Sequence, residues 1–123
     1  MLKVIAFFDL KEKTDPEVFL KWVRERQTEV FDRKIKGIKD FKVYVTVDSD
    51  GDIDLPRMVQ IFDYYGTAQD WRDALEMMRT TDDDEISDVV RTWREFCRDE
   101  TTRIIYVDES GYKYSIIEKM EGK

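Results

Sequence analysis

Apolar and polar residues recur along the chain with two periods, one typical of strands and the other of helices. Residues 2–10 are nearly all apolar, as in a strand that is covered on both faces. Residues 40–48 alternate, with Phe41 and Val43 on the apolar face and Tyr44 on the polar face, which is typical of a half-buried strand. Three later runs are also predicted to be strands: 57–65, 102–108 and a short one at 112–117.

The first segment with a helical period lies between the first two predicted strands. Thr14 can cap its free amide groups, and Pro16 suits its first turn. The helix is predicted to end before Gly37. Its apolar stripe is interrupted at Arg26 and Gln27, which are polar residues on an otherwise hydrophobic face.

Two further helices are predicted between the strands at 57–65 and 102–108. Thr67 is predicted to cap the first of them, with Asp70 in its first turn. The acidic run at 82–85 lies at the front of the other, where negative charge interacts favourably with the helix dipole. This last helix has the most regular apolar stripe of the chain, formed by Ile86, Val89, Val90, Trp93, Phe96 and Cys97.

The order of these elements predicts an α+β fold of the ferredoxin-like βαββαβ type with an extra helix. Two right-handed βαβ crossovers cover one face of an antiparallel sheet with helices and leave the other face open. The strands at 2–10 and 57–65 are apolar on both faces, and large exposed apolar patches are rare on monomers. We therefore expect a homodimer that packs sheet against sheet. Residues 1–123 are predicted to form one domain, with 110–123 as a C-terminal extension that can add a strand.

Charge and hydropathy narrow the classes of partner. The 123 residues include 21 basic and 28 acidic side chains, which gives a net charge of −7. This charge repels a phosphate backbone, so nucleic acid is not expected as a partner. The apolar run at the start of the chain is too short for a signal peptide or a membrane span. We therefore expect a cytoplasmic protein that does not associate with membranes.

The residue types present exclude several kinds of cofactor site. The chain contains no histidine, which rules out a His-ligated haem and a His-containing zinc site. Cys97 is the one cysteine, so no intramolecular disulfide can form, and its place on an apolar stripe predicts a buried, unreactive thiol. Four alternate aspartates, Asp48, Asp50, Asp52 and Asp54, lack the spacing of a calcium loop and are predicted to form a solvated turn. No cofactor and no metal is predicted.

Three stretches of the chain carry a pattern shared with one protein superfamily. They are VIAFFDLK at 4–11, MVQIFD at 58–63 just before a predicted helix, and RIIYV at 103–107. Through these stretches, within residues 2–108, the chain resembles the dimeric α+β barrel superfamily. Within it, the chain is similar to the small RedY-like proteins linked to prodigiosin-type pigment biosynthesis. The resemblance implies a homodimer whose sheets form a barrel, with a pocket between sheet and helices in each subunit.

The same resemblance implies which side chains reach that pocket. Asp9 is the candidate base, and Tyr44 and Gln60 are candidates to hold a carbonyl or hydroxyl group by hydrogen bonds. Gln60 occupies the strand position where a carboxylate is common in the superfamily. The candidate ligand-binding residues are aromatic and suit a flat apolar ligand: Phe7, Trp22, Phe62, Trp93 and Tyr106.

Each of these residues also has a structural interpretation. Asp9 can mark the end of a strand, and Tyr44 can face solvent. Trp22, Trp71 and Trp93 lie on helical stripes, where packing is the commoner role. The aromatic residues of the strands can fill the space between two sheets at a dimer interface.

The sequence is compatible with two functions. The first is small-molecule binding by a carrier or a cofactor-independent enzyme that takes a hydrophobic, aromatic or polyketide-like metabolite. The second is a structural or regulatory dimer without catalytic activity. Such a dimer would bind a protein partner through its acidic surface or through the strand at 112–117. The sequence does not decide whether the protein is an enzyme.

Overall fold

A five-stranded antiparallel sheet forms the centre of the computed structural model, which describes residues 1–45, 58–108 and 115–119. The strands are β1 (Leu2–Leu10), β2 (Ile38–Val45), β3 (Met58–Tyr64), β4 (Cys97–Asp108) and β5 (Ser115–Lys119). The helices are α1 (Pro16–Trp22), a π-helical turn (Val23–Gln27), α2 (Thr28–Lys34), α3 (Ala68–Thr80) and α4 (Asp84–Phe96). The strand order is β2-β3-β1-β4-β5, which is the predicted ferredoxin-like arrangement with β5 added beside β4.

The last two strands differ in position from their predictions. β4 begins at Cys97 rather than at residue 102, because β1 continues to pair with it beyond a bulge between Phe7 and Asp9. β5 pairs with residues 103–107 of β4 and overlaps the predicted terminal strand at residues 115–117, whereas residues 112–114 lie outside the described residues. The aspartate-rich turn predicted at 48–54 lies outside the described residues.

The helix starts follow local hydrogen-bonding chemistry. The cap of α1 is Asp15 rather than the predicted Thr14, since the Asp15 carboxylate accepts a hydrogen bond from the Glu17 amide at 3.0 Å. The predicted cap of α3 is confirmed. Thr67 accepts from the Asp70 amide, and the Asp70 carboxylate accepts from the Thr67 amide at 2.8 Å.

The interruption in the first helical stripe is a π-helical turn at Val23–Gln27. Val23 and Gln27, the first and last residues of this turn, both face the interior and are only 1% and 4% exposed. The Val23 carbonyl accepts two hydrogen bonds from Thr28, one from its amide and one from its hydroxyl group at 2.9 Å. Gln27, a polar residue that interrupts the apolar stripe in the sequence, is therefore buried in the core.

One end of the core is built from aromatic rings around Phe8, which is fully buried. Its ring centroid lies 5.8 Å from that of Phe19 and 5.0 Å from that of Trp93. Cys97 belongs to the same cluster and is 1% exposed. Burial raises the pKa of the Cys97 thiol, so the thiolate is disfavoured. The predicted buried cysteine is confirmed.

The face of the sheet that points away from the helices is apolar along its middle. Ile5 of β1 pairs with Ile61 of β3 and with Ile105 of β4, which places three isoleucines side by side across the sheet. In the adjacent row, Phe7 pairs with Val59. Because side chains alternate between the faces of a strand, none of these five residues faces the helices.

Among the described residues, no helix is long and apolar enough to cross a membrane.

Candidate functional site

A cavity of about 110 Å³ lies between the sheet and the helices. Its floor is formed by the helix-facing residues of four strands: Val4, Ala6, Phe41, Gln60, Phe62, Thr102 and Ile104. Its other walls come from the π-helical turn, the helices and the start of β4: Gln27, Phe31, Trp71, Leu75, Met78, Arg79, Val89, Val90, Trp93, Arg94 and Asp99. The lining is predominantly apolar, with a small number of polar side chains, as is usual for small-molecule sites.

The cavity exists because a small residue occupies the middle of the sheet. Ala6 pairs with Gln60 of β3 on one side and with Ile104 of β4 on the other. Its neighbours on the same face of β1 are the larger Val4 and Phe8, which are both fully buried. The single methyl group of Ala6 therefore leaves space that a larger side chain at this position would fill.

Two buried glutamines meet in the cavity wall. The Gln60 Nε2 atom donates a hydrogen bond to Gln27 Oε1 at 2.9 Å, and the two residues are 6% and 4% exposed. Each amide group has both a donor and an acceptor end, so this bond leaves Gln60 Oε1 and Gln27 Nε2 for other partners. The pair joins the π-helical turn to β3 by a polar contact inside an apolar layer.

Two further polar atoms in residues of the cavity wall have no hydrogen-bond partner among the described residues. They are Trp71 Nε1 and Thr102 Oγ1. Trp71 is 4% exposed and Thr102 is 3% exposed, so water does not reach either residue freely. A buried polar group without a partner costs about 1–3 kcal/mol, which makes two of them beside one cavity a feature that needs a cause.

Ion pairs across the surface hold α4, which carries part of the cavity wall, against α2. Lys34 Nζ lies 2.8 Å from Asp83 Oδ2, and Arg33 donates to both Glu29 and Glu85. The hydrogen bond from Lys34 holds the pKa of Asp83 below its ordinary value, and the bond from Arg33 does the same for the pKa of Glu85. These groups are at least partly exposed, so the pairs fix an orientation more than they add stability.

The structure brings three of the eight predicted site residues to the cavity. Gln60, Phe62 and Trp93 line it. Phe62 packs against Trp71 with a centroid separation of 4.7 Å, and Trp93 packs against Phe8. The aromatic character predicted for the pocket is therefore present on two sides of the cavity.

The other predicted residues are not part of the cavity wall. Tyr44 pairs with Val59 and Phe7 also pairs with Val59, so both belong to the face opposite the helices, and Tyr44 is 48% exposed. Asp9 lies beyond the bulge in β1, where its amide donates to Thr101 Oγ1 at 2.8 Å. Asp9, Tyr44 and Gln60 thus do not converge on one point of the cavity, and their predicted joint role stays a prediction.

Trp22 and Tyr106 lie in the layer between sheet and helices but outside the cavity lining. Trp22 packs against Phe19 and Phe96, with centroid separations of 6.0 and 5.6 Å. Tyr106 is 2% exposed, and the guanidinium carbon of Arg72 lies 5.6 Å from the centre of its ring. Both residues pack against protein groups in the described structure.

The sequence patterns do not mark Gln27, Trp71 or Thr102 as site residues. Gln27 carried a signal, since it is a glutamine that interrupts an apolar helical stripe. Trp71 and Thr102 carried none, because each occupies an ordinary position on a helix and a strand. Among residues 1–45, 58–108 and 115–119, no cluster of three or more His, Cys, Asp or Glu side chains is arranged to hold a metal ion.

Two solved structures have a similar fold. A dimeric protein of unknown function with a ferredoxin-like fold from Bacteroides fragilis NCTC 9343 is 14% identical, with a TM-score of 0.52 over 92% of this chain and 95% of that one. An ethyl tert-butyl ether D (EthD) family protein from Bacillus halodurans C-125 is 22% identical, with a TM-score of 0.51 over 89% of this chain and 98% of that one. No protein-family model and no curated protein matches the chain significantly. The chain has the ferredoxin-like α+β fold of these two proteins.

Proposed function

We propose that the protein binds a small, largely apolar molecule in the cavity between sheet and helices. The observation that carries the proposal is the pair of unpartnered polar atoms, Trp71 Nε1 and Thr102 Oγ1, in residues of the cavity wall. An indole N–H can only donate a hydrogen bond, so it calls for an acceptor on the ligand. The ligand therefore has an apolar body and at least one oxygen or nitrogen that accepts hydrogen bonds.

The size of the cavity limits the ligand to about one ring. An engineered apolar cavity of about 150 Å³ accepts benzene, and drug-sized ligands need about 300–1,000 Å³. At about 110 Å³, this cavity suits a single aromatic ring or a short branched chain. A polyketide-like ligand with several rings would need the side chains around it to move.

We propose binding rather than a named reaction because the cavity lacks a convincing set of catalytic groups. Its wall holds one carboxylate, Asp99, among the described residues, and that group lies 3.8 Å from Arg94 Nε. Asp9 and Tyr44, the other predicted catalytic residues, lie outside the wall.

The similarity to the RedY-like proteins stays a prediction that rests on the sequence patterns. The cytoplasmic location also stays a prediction.

The open face of the sheet supports a second part of the proposal, that the chain forms a homodimer. The row of Ile5, Ile61 and Ile105 is covered by no helix of the described structure. An apolar strip of this kind is buried most simply against a second copy of itself. The similar protein from Bacteroides fragilis is described as dimeric, which is consistent with this arrangement. A structural dimer without a ligand is the alternative function, and it leaves the two unpartnered atoms unexplained.

Filling the cavity tests the proposal. Replacing Ala6 with leucine puts three additional carbon atoms into the space between Gln60 and Ile104. We expect phenylacetamide, a neutral molecule with one ring and one carbonyl, to bind the unaltered protein with one molecule per chain. We expect the Ala6→Leu variant to bind it at least tenfold more weakly, since about 1.4 kcal/mol corresponds to a factor of ten. Isothermal titration calorimetry measures both affinities.

Ala6→Gly is the matched control, because it alters the same strand position and keeps the cavity open. It should retain phenylacetamide binding, and circular dichroism establishes that each variant is folded. If Ala6→Leu does not fold, Ala6→Val provides a smaller filling change at the same position. Equal binding by a folded filled variant and the glycine variant contradicts the assignment of the cavity, and no binding to any of them contradicts the proposed function.

A further inference from the structure

The cavity adjoins an open groove on the outside of the protein. The groove lies along α3 and α4 and has a volume of about 680 Å³. Four residues line both spaces: Met78, Arg79, Val90 and Arg94. Two of the four residues at this boundary are arginines, so a molecule that fills the cavity and extends outwards meets positive charge.

Other groups of the described residues leave hydrogen-bond donors of these two arginines unused. Arg79 is exposed in the last turn of α3 and forms no ion pair within the part of the chain that the structure describes. Arg94 Nε lies 3.8 Å from Asp99 Oδ2, at the long end of an ion pair. This contact uses the inner nitrogen of Arg94 and leaves the two outer nitrogens of its guanidinium group outside it.

The acidic residues of the groove are partly neutralised by a third arginine. Arg91 donates to Asp88 and to Glu95, and it lines the groove but not the cavity. Among the described residues, the charged residues of the groove are three arginines and three acids: Arg79, Arg91, Arg94, Asp84, Asp88 and Glu95. The charged residues of the described chain that line the cavity itself are Arg79, Arg94 and Asp99, so one positive charge is left over, which suits a ligand with one negative charge better than a dianion such as a phosphate monoester.

We infer that the ligand is a small monocarboxylic acid: its body, apolar apart from the hydrogen-bond acceptor proposed above, fills the cavity, and its carboxylate is bound by Arg79 and Arg94. This inference rests on the proposed function and adds the chemical class of the ligand. A guanidinium group presents a planar set of donors that matches the two oxygens of a carboxylate. The net charge of the chain is −7, so an anion is not attracted in general, and its binding depends on this local pair of arginines.

Two probes with the same ring and spacer test the inference. Phenylacetate carries a carboxylate, and phenylacetamide has a neutral amide in its place. We expect the unaltered protein to bind phenylacetate at least about tenfold more tightly than phenylacetamide at low ionic strength, as a charge-assisted hydrogen bond predicts. High salt should reduce the difference, because these arginines are partly exposed. Isothermal titration calorimetry measures the four affinities.

The Arg79→Gln variant tests whether Arg79 causes the preference for phenylacetate over phenylacetamide. It should lose the preference for phenylacetate and keep its affinity for phenylacetamide. Arg91→Gln is the matched control, since it removes the same charge from the same groove but lies outside the cavity wall. It should keep at least part of the preference. Equal binding of the two probes by the unaltered protein overturns the inference and leaves the proposed function intact. Failure of both probes to bind overturns the inference together with the proposed function.

Discussion

Replacing Ile61 with aspartate is expected to convert the proposed homodimer into a monomer. Ile61 lies beside Ile5 on the open face of the sheet, and Ile5 in turn lies beside Ile105. In a dimer that packs sheet against sheet, the carboxylate introduced into each protomer would be buried without a partner of opposite charge. The cost of burying an unpaired charge is several kcal/mol per group, and a symmetric interface incurs it twice.

Sedimentation equilibrium measures this effect directly. The unaltered protein should have twice the 14.8 kDa mass of the chain, and the Ile61→Asp variant should have the mass of one chain. Val18→Asp is the matched control, because Val18 is 52% exposed on α1, far from the open face. It should remain dimeric. A monomeric unaltered protein, or a folded Ile61→Asp variant that stays dimeric, contradicts the proposed interface.

Replacing Phe8 with alanine is expected to lower the free energy of unfolding by about 3–5 kcal/mol, the range for large aromatic residues in a packed core. Phe8 is fully buried, and its ring contacts the rings of Phe19 and Trp93. The loss combines the transfer of the ring to water with the cavity that remains beside β1. This is a large part of the stability of a domain of this size, since native proteins are stable by about 5–15 kcal/mol.

Urea denaturation measures the change in the free energy of unfolding. The protein concentration is kept the same for both proteins, because dimerisation adds to the apparent stability. Tyr65→Ala is the control, since Tyr65 is 62% exposed and its truncation should change stability by no more than about 0.5 kcal/mol. A change below about 1 kcal/mol for Phe8→Ala would mean that the aromatic cluster at this end of the core is not packed as described.

Most of the fold could be predicted from the sequence because the information lies in local periodicity. The alternation around Phe41 and Val43 and the cap at Thr67 depend on a few neighbouring residues, and both are present in the structure. The start of β4 at Cys97 was not predictable in this way. It depends on how far β1 pairs beyond its bulge, which is a property of two distant segments.

The candidate site was predicted less completely because it depends on which face each residue occupies after the strands pair. Gln60 pairs with Val43 whereas Tyr44 pairs with Val59, so Tyr44 and Gln60 project from opposite faces of the sheet. The alternation in β2 already indicated this, since Tyr44 follows the apolar Val43. The space above Ala6 could not be predicted, because it arises from the alignment of Ala6 with Gln60 and Ile104.

Whether a tryptophan packs in the core or contacts a ligand also could not be predicted from the sequence. Trp22, Trp71 and Trp93 all lie on apolar helical faces, and the pattern predicts packing for each of them. Trp71 does pack, but its indole N–H has no acceptor among the described residues, whereas Trp22 lies outside the cavity wall. This difference makes the three indole groups natural reporters of binding.

The claim that a ligand binds in the cavity is tested most directly by a titration with phenylacetamide. The titration follows the ¹H–¹⁵N resonances of the three indole N–H groups. Trp71→Phe, Trp22→Phe and Trp93→Phe variants assign the three signals. We expect the Trp71 signal to shift saturably as its N–H gains an acceptor, the Trp93 signal to move because Trp93 lines the cavity, and the Trp22 signal to stay in place. A Trp71 signal that does not move at any probe concentration, or a Trp22 signal that alone responds, would contradict binding in this cavity.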